Sequence, residues 1–310
     1  MSQVKDLLTI QDVTADQFEK LMKLSAKLKA KRDTTDYKPL AGKSVGMIFA
    51  KSSTRTRISF EVGIAELGGY PLYLDQGKMQ VERGETIADT ARVLDRYLHG
   101  LVIRTFEQSD VEGLAQNAKF PVINALTNDY HPCQVLTDMF TIYEYSGKFE
   151  GVKMAYVGDG DNNMANSMIL GAKLAGIDLV LSTPEEFKPR QDVIDVAEGS
   201  GTVSWEKDPI KAVADADYIY TDVFVSMGFE EESKRRLEIL TPYQVNMNLL
   251  KAAKPTAKVL HCLPAHRGEE ITHDVIESNQ SIVFDQAENR LHVQKAIMAM
   301  LVDENAFNII

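Results

Sequence analysis

The sequence predicts an α/β fold of two domains, each a parallel sheet flanked by helices, with interdomain helices linking them. Three observations carry this. Short apolar runs alternate with amphipathic stretches along the chain, the pattern of parallel strands joined by helical crossovers. The alternation halts and restarts once, near residues 135 to 150. At 310 residues the chain is two domains long, at roughly 150 residues each.

Thr14 with Gln17 has the form of a capping box, and Phe18, Leu21, Met22 and Leu28 follow at helical spacing, predicting a helix from Ala15 to Lys31. Val45 to Ala50 reads as a buried strand leading into a helical pattern through Leu67. Strands are expected at Leu72–Leu74, Leu101–Thr105 and Val122–Ala125, with helices over Thr86–Leu98 and Val111–Ala118 between them. A helix from Pro132 to Tyr145 closes this half at Ser146-Gly147. The second set of strands is Val152–Val157, Leu179–Leu181, Val203–Trp205, Tyr218–Thr221, Lys258–Leu263 and Ile282–Phe284. The run Glu230 to Arg236 reads as a solvated helix start with paired charges. Ala287 to Leu301 reads as a long last helix. The expected domains are therefore 1–135 and 150–286, with 287–310 packing back on the first.

Lysine and arginine number 34 against 45 acidic residues, a net charge of −11, which argues against nucleic acid or an anionic membrane as partner. The chain is 44% hydrophobic and 25% charged, an ordinary globular composition. MSQVKDLLTI lacks the pattern of a secretory signal, and two cysteines make no disulfide framework, so a reducing, cytoplasmic setting is expected. An anionic substrate must then be captured by local basic clusters against the overall field.

The densest such cluster is Ser52-Ser53-Thr54-Arg55-Thr56-Arg57, at a strand-to-helix junction. Hydroxyls, free backbone N–H groups, the positive helix end and two guanidiniums suit a phosphate. The GxxxxGK[ST] spacing is absent, so no nucleotide is implied. Arg104 stands at the carboxyl end of an apolar strand, and His131-Pro132-Cys133-Gln134 opens a helix. Ligands of open α/β sheets gather at that end of the strands, where Ser53, Arg104 and His131 can converge. Gly158-Asp159-Gly160-Asp161-Asn162-Asn163 lacks the third glycine of a dinucleotide fingerprint and carries two acids that repel pyrophosphate. Its Asn and Asp suit an amine or an amino acid, or simply turn and cap chemistry. Asp222 ends a strand ahead of Ser226-Met227-Gly228, where a carboxylate can pair with an ammonium group. His261-Cys262-Leu263-Pro264 ends another, with His266 and His273 beyond. A structural zinc takes four closed nitrogen or sulfur ligands, and one cysteine is present here, so no metal is expected.

SSTRTR, HPCQ, DNNMANS, DVFVSMG and HCLPAHRG, in this order and closed by AENRLHVQKAI, resemble the ornithine carbamoyltransferases over essentially the whole chain. Aspartate-using relatives share STRTR and HPxQ, yet carry HPLP in place of His261-Cys262-Leu263-Pro264 and lack SMG. Putrescine-using relatives resemble the LPAxRGEE stretch but have YGLYG-like residues at Ser226-Met227-Gly228. The resemblance therefore implies transfer of a carbamoyl group from carbamoyl phosphate to the δ-amine of L-ornithine, giving L-citrulline and phosphate, in arginine biosynthesis. It implies no cofactor, metal or covalent intermediate. A catalytically silent binder of phosphorylated metabolites is the competing class, and the intact motifs argue against it.

By that resemblance the first domain binds carbamoyl phosphate and the second binds ornithine, with the reaction in the cleft between them. Ser53, Thr54, Arg55 and Thr56 would hold the phosphate, and Arg104, His131 and Thr56 would polarise the carbamoyl oxygen. Gln134 and the carbonyls near Cys262 and Leu263 would accept from the carbamoyl NH2, with a further contact from Arg290. Arg55, Arg57, Arg104 and Arg290 would thus make a positive pocket in an acidic protein. Asn163, Asp222, Ser226 and the backbone of Met227 would hold ornithine, with Asn162 as the alternative to Asn163 and the δ-amine directed to the carbon near Cys262. Relatives are homotrimers in which a neighbouring-subunit loop reaches the phosphate. The matching segment is Lys78 to Arg83, with Gln80 the best-fitting contact and with Met79 and Arg83 standing nearest the positions where aspartate-using relatives place Ser and Lys.

Overall fold

The computed structural model describes residues 4–51, 53–79, 84–225 and 232–309. The chain divides into two units, one comprising Met1–Phe140 with Glu288–Ile310, the other Thr141–Ala287. It passes from the first to the second within one helix and returns within another.

The first unit opens with α1 (Ala15–Ala30), where Thr14 and Gln17 form the expected reciprocal capping box. The chain then runs through β1 (Ser44–Phe49), α2 (Thr54–Glu66), β2 (Tyr70–Asp75), α3 (Ile87–Leu94), β3 (Gly100–Arg104), α4 (Gln108–Asn117), β4 (Val122–Leu126) and α5 (Pro132–Ser146). The four strands are parallel in the order β2-β1-β3-β4. Ile48, Leu101, Ile103 and Val122 from the sheet pack against Ala91 of α3 and Val111, Leu114 and Ala115 of α4. The strand order reverses between β1 and β3, so the chain diverges there at the carboxyl ends, opening room for a ligand.

The second unit runs β5 (Lys153–Val157), α6 (Asn163–Ala175), β6 (Asp178–Ser182), α7 (Gln191–Val196), β7 (Thr202–Trp205), α8 (Pro209–Val213), β8 (Tyr218–Thr221), α9 (Ser233–Leu240), α10 (Met247–Ala252), β9 (Lys258–His261) and α11 (His273–Ile276). Its five strands are parallel in the order β7-β6-β5-β8-β9, and the reversal falls between β5 and β8. Alternate residues of β5 are buried on both faces of the sheet: Ala155 and Val157 join a core with Val213, Leu249 and Val275. Tyr156, on the other face, stacks on Tyr220 with ring centroids 5.7 Å apart. Burial on both faces is what a parallel sheet between helices requires.

The predicted fold class holds. One predicted strand does not form: Ile282–Phe284 enters α12 (Val283–Val302), and only Ser281 bridges a strand, at Val259. The reason lies in the buried face of α12, where Val283, Gln286, Asn289, Arg290 and Val293 recur at helical spacing. Three of these five are polar, so hydrophobicity alone hides the helix. The run ending at Arg236 also departs from its reading, because Arg236 is buried; Glu230 lies outside the described residues. Among the described residues no helix is long and apolar enough to cross a membrane.

Candidate active-site residues of the two units

In the first unit the loop after β1 leads into α2 with Ser53 as its N-cap. Ser53 is extended, at φ −158° and ψ 107°, and its hydroxyl makes no hydrogen bond to the first helical turn. The N–H groups of that turn, the hydroxyls of Ser53 and exposed Thr54, and the half-buried Arg55 thus share one helix end. The Nε of Arg55 is buried and has no hydrogen-bond partner among the described residues. Thr56 is buried, and its Oγ1 accepts from Arg290 Nη2 at 2.8 Å, which fixes a residue of α12 against the first turn of α2. Arg57 points elsewhere: its guanidinium lies 3.9 Å from the centroid of the Tyr73 ring and its Nε is 3.3 Å from Glu61 at the surface. It does not belong to the positive pocket expected of it.

Arg104 ends β3 and His131 precedes α5, both buried. Burial first, then the guanidiniums of Arg290 and Arg104, hold the imidazole of His131 well below the ordinary histidine range. At neutral pH this side chain is therefore an uncharged hydrogen-bonding group. Gln134, one turn into α5 and buried, donates from Nε2 to Asp138 Oδ1 at 2.8 Å. That bond fixes which way the amide faces and leaves Oε1 buried with no partner among the described residues, an acceptor suited to an NH2 group. Cys133 is inert by contrast. Its Sγ donates to the Asn124 carbonyl at 3.3 Å, and burial pushes its thiol up to about 12.

Sequence reasoning passed over Lys51, which follows β1 directly. Its Nζ donates to Asn128 Oδ1 at 2.7 Å and lies 4.3 Å from the centroid of the Phe106 ring. Asn128 follows β4 and Phe106 follows β3, so one buried ammonium ties the loops of three neighbouring strands. A lone lysine beside a serine-rich motif carries no signal by which this could be found.

In the second unit three loops leave the carboxyl ends of β5, β8 and β9. The first carries two glycines with steric duties. Gly158 sits at φ +133°, and a Cβ on Gly160 would stand 2.6 Å from the Phe187 carbonyl. Asn162 caps α6, its Oδ1 accepting from Ala165 N–H at 2.8 Å and lying 3.4 Å from the Tyr156 hydroxyl. Asn163, the first residue of α6, is half-buried. Asp222, directly after β8, is buried, and desolvation raises its carboxyl above the usual range against the opposing pull of His261 and Cys262. Cys262 Sγ donates to Asp222 Oδ1 at 2.9 Å, joining the second loop to the third.

The third loop is organised by His261. Its Nδ1 accepts from the Leu263 N–H at 2.9 Å, so the ring proton sits on Nε2 and is donated to Glu270 Oε1, also 2.9 Å away. Its own N–H donates to Gln286 Oε1 at 2.9 Å. Glu270, fully buried, additionally accepts the His266 N–H at 2.6 Å. These bonds hold Leu263 at φ +58°, a left-handed conformation that costs a leucine on the order of 1 kcal/mol and so needs outside support. The three histidines do not form one ligand set. His261 lies with Asp222 and Cys262, and His266 with Glu269 and Glu270, each group within 4.8 Å. Both ring nitrogens of His261 are already engaged. Gln80, Arg83, Ser226 and Met227 lie outside the described residues.

Of the two parallel α/β units, one presents guanidiniums, a neutral imidazole and an oriented amide, groups suited to an anion, and the other a buried carboxylate beside a thiol, a group suited to an amine. The family follows from comparison. Residues 5–144 match the carbamoyl-P binding domain of aspartate/ornithine carbamoyltransferase, and residues 150–301 match its Asp/Orn binding domain. An ornithine carbamoyltransferase of Oceanobacillus iheyensis is 51% identical over 304 residues, covering 96% of this chain and 94% of its own. A Pyrococcus furiosus protein named as an anabolic ornithine carbamoyltransferase is 50% identical, covering 96% of each chain. The solved structure of ornithine carbamoyltransferase from Pyrococcus furiosus aligns with a TM-score of 0.93 at 48% identity, covering 98% of this chain and 99% of that one. This chain belongs to the aspartate/ornithine carbamoyltransferase family.

Proposed function

We propose that the protein transfers the carbamoyl group of carbamoyl phosphate to the δ-amine of L-ornithine, yielding L-citrulline and phosphate for arginine biosynthesis. The observation that carries the choice of acceptor is Asp222, a buried carboxylate hydrogen-bonded by Cys262 at a strand end. A carboxylate there recognises an ammonium group and repels a second carboxylate, which favours a diamino acid over aspartate. Relatives named ornithine carbamoyltransferase at about half identity over the whole chain support the same choice.

In this reading the first unit holds carbamoyl phosphate and the second holds ornithine. Ser53, Thr54, Arg55 and Thr56 bind the phosphate, joined by Gln80. Arg104, neutral His131 and the Thr56 hydroxyl face the carbamoyl oxygen, where negative charge grows as the carbonyl carbon becomes tetrahedral. Gln134 Oε1 and the carbonyls of Cys262 and Leu263 accept from the carbamoyl NH2. Arg290 steadies Thr56 and adds charge. Asn163, Asp222, Ser226 and Met227 hold the α-amino and α-carboxylate groups of ornithine.

The δ-nitrogen attacks as a free amine, a new N–C bond forms, and the C–O bond to phosphate breaks with its electron pair leaving on oxygen. The departing phosphate takes the proton. An alkylammonium ordinarily has a pKa near 10.4, so the site must favour the neutral amine. No side chain becomes covalently attached, and rate enhancement comes from position and preorganised charge.

The active form is proposed to be a homotrimer acting in the cytoplasm, the loop of Lys78 to Arg83 serving a neighbouring subunit. Citrulline formation across ornithine, putrescine, N-acetylornithine and aspartate tests the assignment. Turnover with ornithine alone is expected; equal turnover with putrescine or aspartate overturns it. Light scattering reads the assembly, with a monomer overturning the shared-loop proposal.

A further inference from the structure

Arg236 on α9 is 6% exposed and bonded on three sides. Its Nε donates to the Phe224 carbonyl at 3.0 Å, its Nη2 pairs with the Asp159 carboxylate, and its guanidinium carbon lies 4.4 Å from the centroid of the Phe187 ring. Asp159, 1% exposed, also accepts the Asp161 N–H at 2.9 Å, and Phe187 O accepts the Gly160 N–H at 3.0 Å. One guanidinium therefore joins the loop after β5, the segment around Phe187 and the loop after β8. Asp222 stands two residues before Phe224, and Asn162 and Asn163 stand three and four residues after Asp159.

A buried charge of this kind is retained only where its partners are held in fixed geometry. Lysine cannot reproduce it, since an ammonium has neither the planar fork nor the stacking face. Because Arg236 touches the backbone of one loop and a carboxylate of the other, it fixes the distance between them.

We propose that Arg236 is a positioning residue for the amino-acid substrate. Together with Asp159 it sets the separation between Asp222 and the Asn162-Asn163 pair, and through that separation the affinity for the α-amino and α-carboxylate groups. This rests on the assignment of these loops to ornithine.

The test compares wild type with Arg236→Lys, Asp159→Asn, the double variant and Asp159→Glu, all as full-length protein with melting curves alongside. Initial rates give kcat and both KM values. Calorimetric binding of 2-aminopentanoate, which lacks the δ-amine, reads the same groups without turnover. Arg236→Lys and Asp159→Asn are each expected to raise the ornithine KM and the aminopentanoate Kd about ten- to a hundredfold, the scale of a small misplacement. The carbamoyl phosphate KM is expected to stay within about twofold, the double variant to lose no more than the worse single one, and Asp159→Glu to restore part of the loss. Folded variants with unchanged ornithine KM, or with both KM values raised alike, overturn the proposal. Wild type that makes no citrulline from ornithine overturns the assignment beneath it, a result distinct from active wild type matched by its variants.

Discussion

At the carboxyl ends of β1 and β3 the first unit presents cations, Arg55 and Arg104, with Arg290 bonded to Thr56 beside them. At the carboxyl ends of β5 and β8 the second unit presents carboxylates, Asp159 and Asp222, one paired with Arg236 and one hydrogen-bonded by Cys262. Both sets occupy the same topological position, the place where strand order reverses. One architecture thus presents side chains of opposite charge at equivalent places, and the choice lies in the few residues that follow each strand.

The sharpest way to break this division is Arg104→Met, which removes the guanidinium proposed to face the developing oxyanion. Citrulline formation is expected to fall by about 10²–10³ in kcat/KM for carbamoyl phosphate, the usual loss for one such donor. Binding of 2-aminopentanoate, read by calorimetry, should stay within a few-fold, and equal loss there would mean that the division is wrong. Asp222→Asn is the mirror experiment. Removing one partner of a buried, hydrogen-bonded charge pair costs about 3 kcal/mol, so the ornithine KM should rise roughly a hundredfold with the carbamoyl phosphate KM little changed.

The two units are also expected to respond oppositely to acid. Burial raises Asp159 from 3.8 to about 6, so the folded chain binds this proton more tightly than the unfolded one. Its effect on stability therefore improves as pH falls from about 6 to about 4, by roughly 2 to 3 kcal/mol, and Asp159→Asn should remove that slope from melting curves. His131 runs the other way. Its folded value lies well below 6.5, so the unfolded chain binds the proton first and stability is lost as pH falls below about 6.5. His131→Asn should flatten that loss, and parallel slopes in both variants would count against the assignment.

The smallest predicted effect separates two neighbours. Asn162→Ala removes the α6 cap and should cost about 1 kcal/mol in melting experiments. Asn163→Ala should leave the melting temperature in place and raise the ornithine KM; the reverse pattern would exchange their roles.

How much of this was legible in the sequence follows from what each residue touches. Thr14, Ser53, Pro132 and Asn162 act within one helical turn, and their placement is local. Arg104 and Asp222 were legible as oddities, charged residues directly at the ends of apolar strands. Arg236 was misread because a charged run ordinarily faces solvent, and its partner Asp159 lies 77 residues away. Lys51 and Asn128 are likewise 77 residues apart. The start of α12 was hidden for a related reason: Gln286 and Asn289 are buried polar residues whose partners, His261 and Lys29, come from distant segments. Glu270 stood within LPAHRGEE, yet nothing local shows that it holds His261.

The bond between Thr56 and Arg290 spans 234 residues, that between Glu66 and Lys295 spans 229, and that between Lys29 and Asn289 spans 260. The second unit, by contrast, is one unbroken stretch of chain. During synthesis at about 5–20 residues per second, the loop that begins α2 leaves the ribosome on the order of 10 to 50 s before the arginine that steadies it exists. The loop that begins α2 is therefore among the last parts of the newborn protein to be finished, and a chain cut short before α12 leaves Thr56 without that arginine.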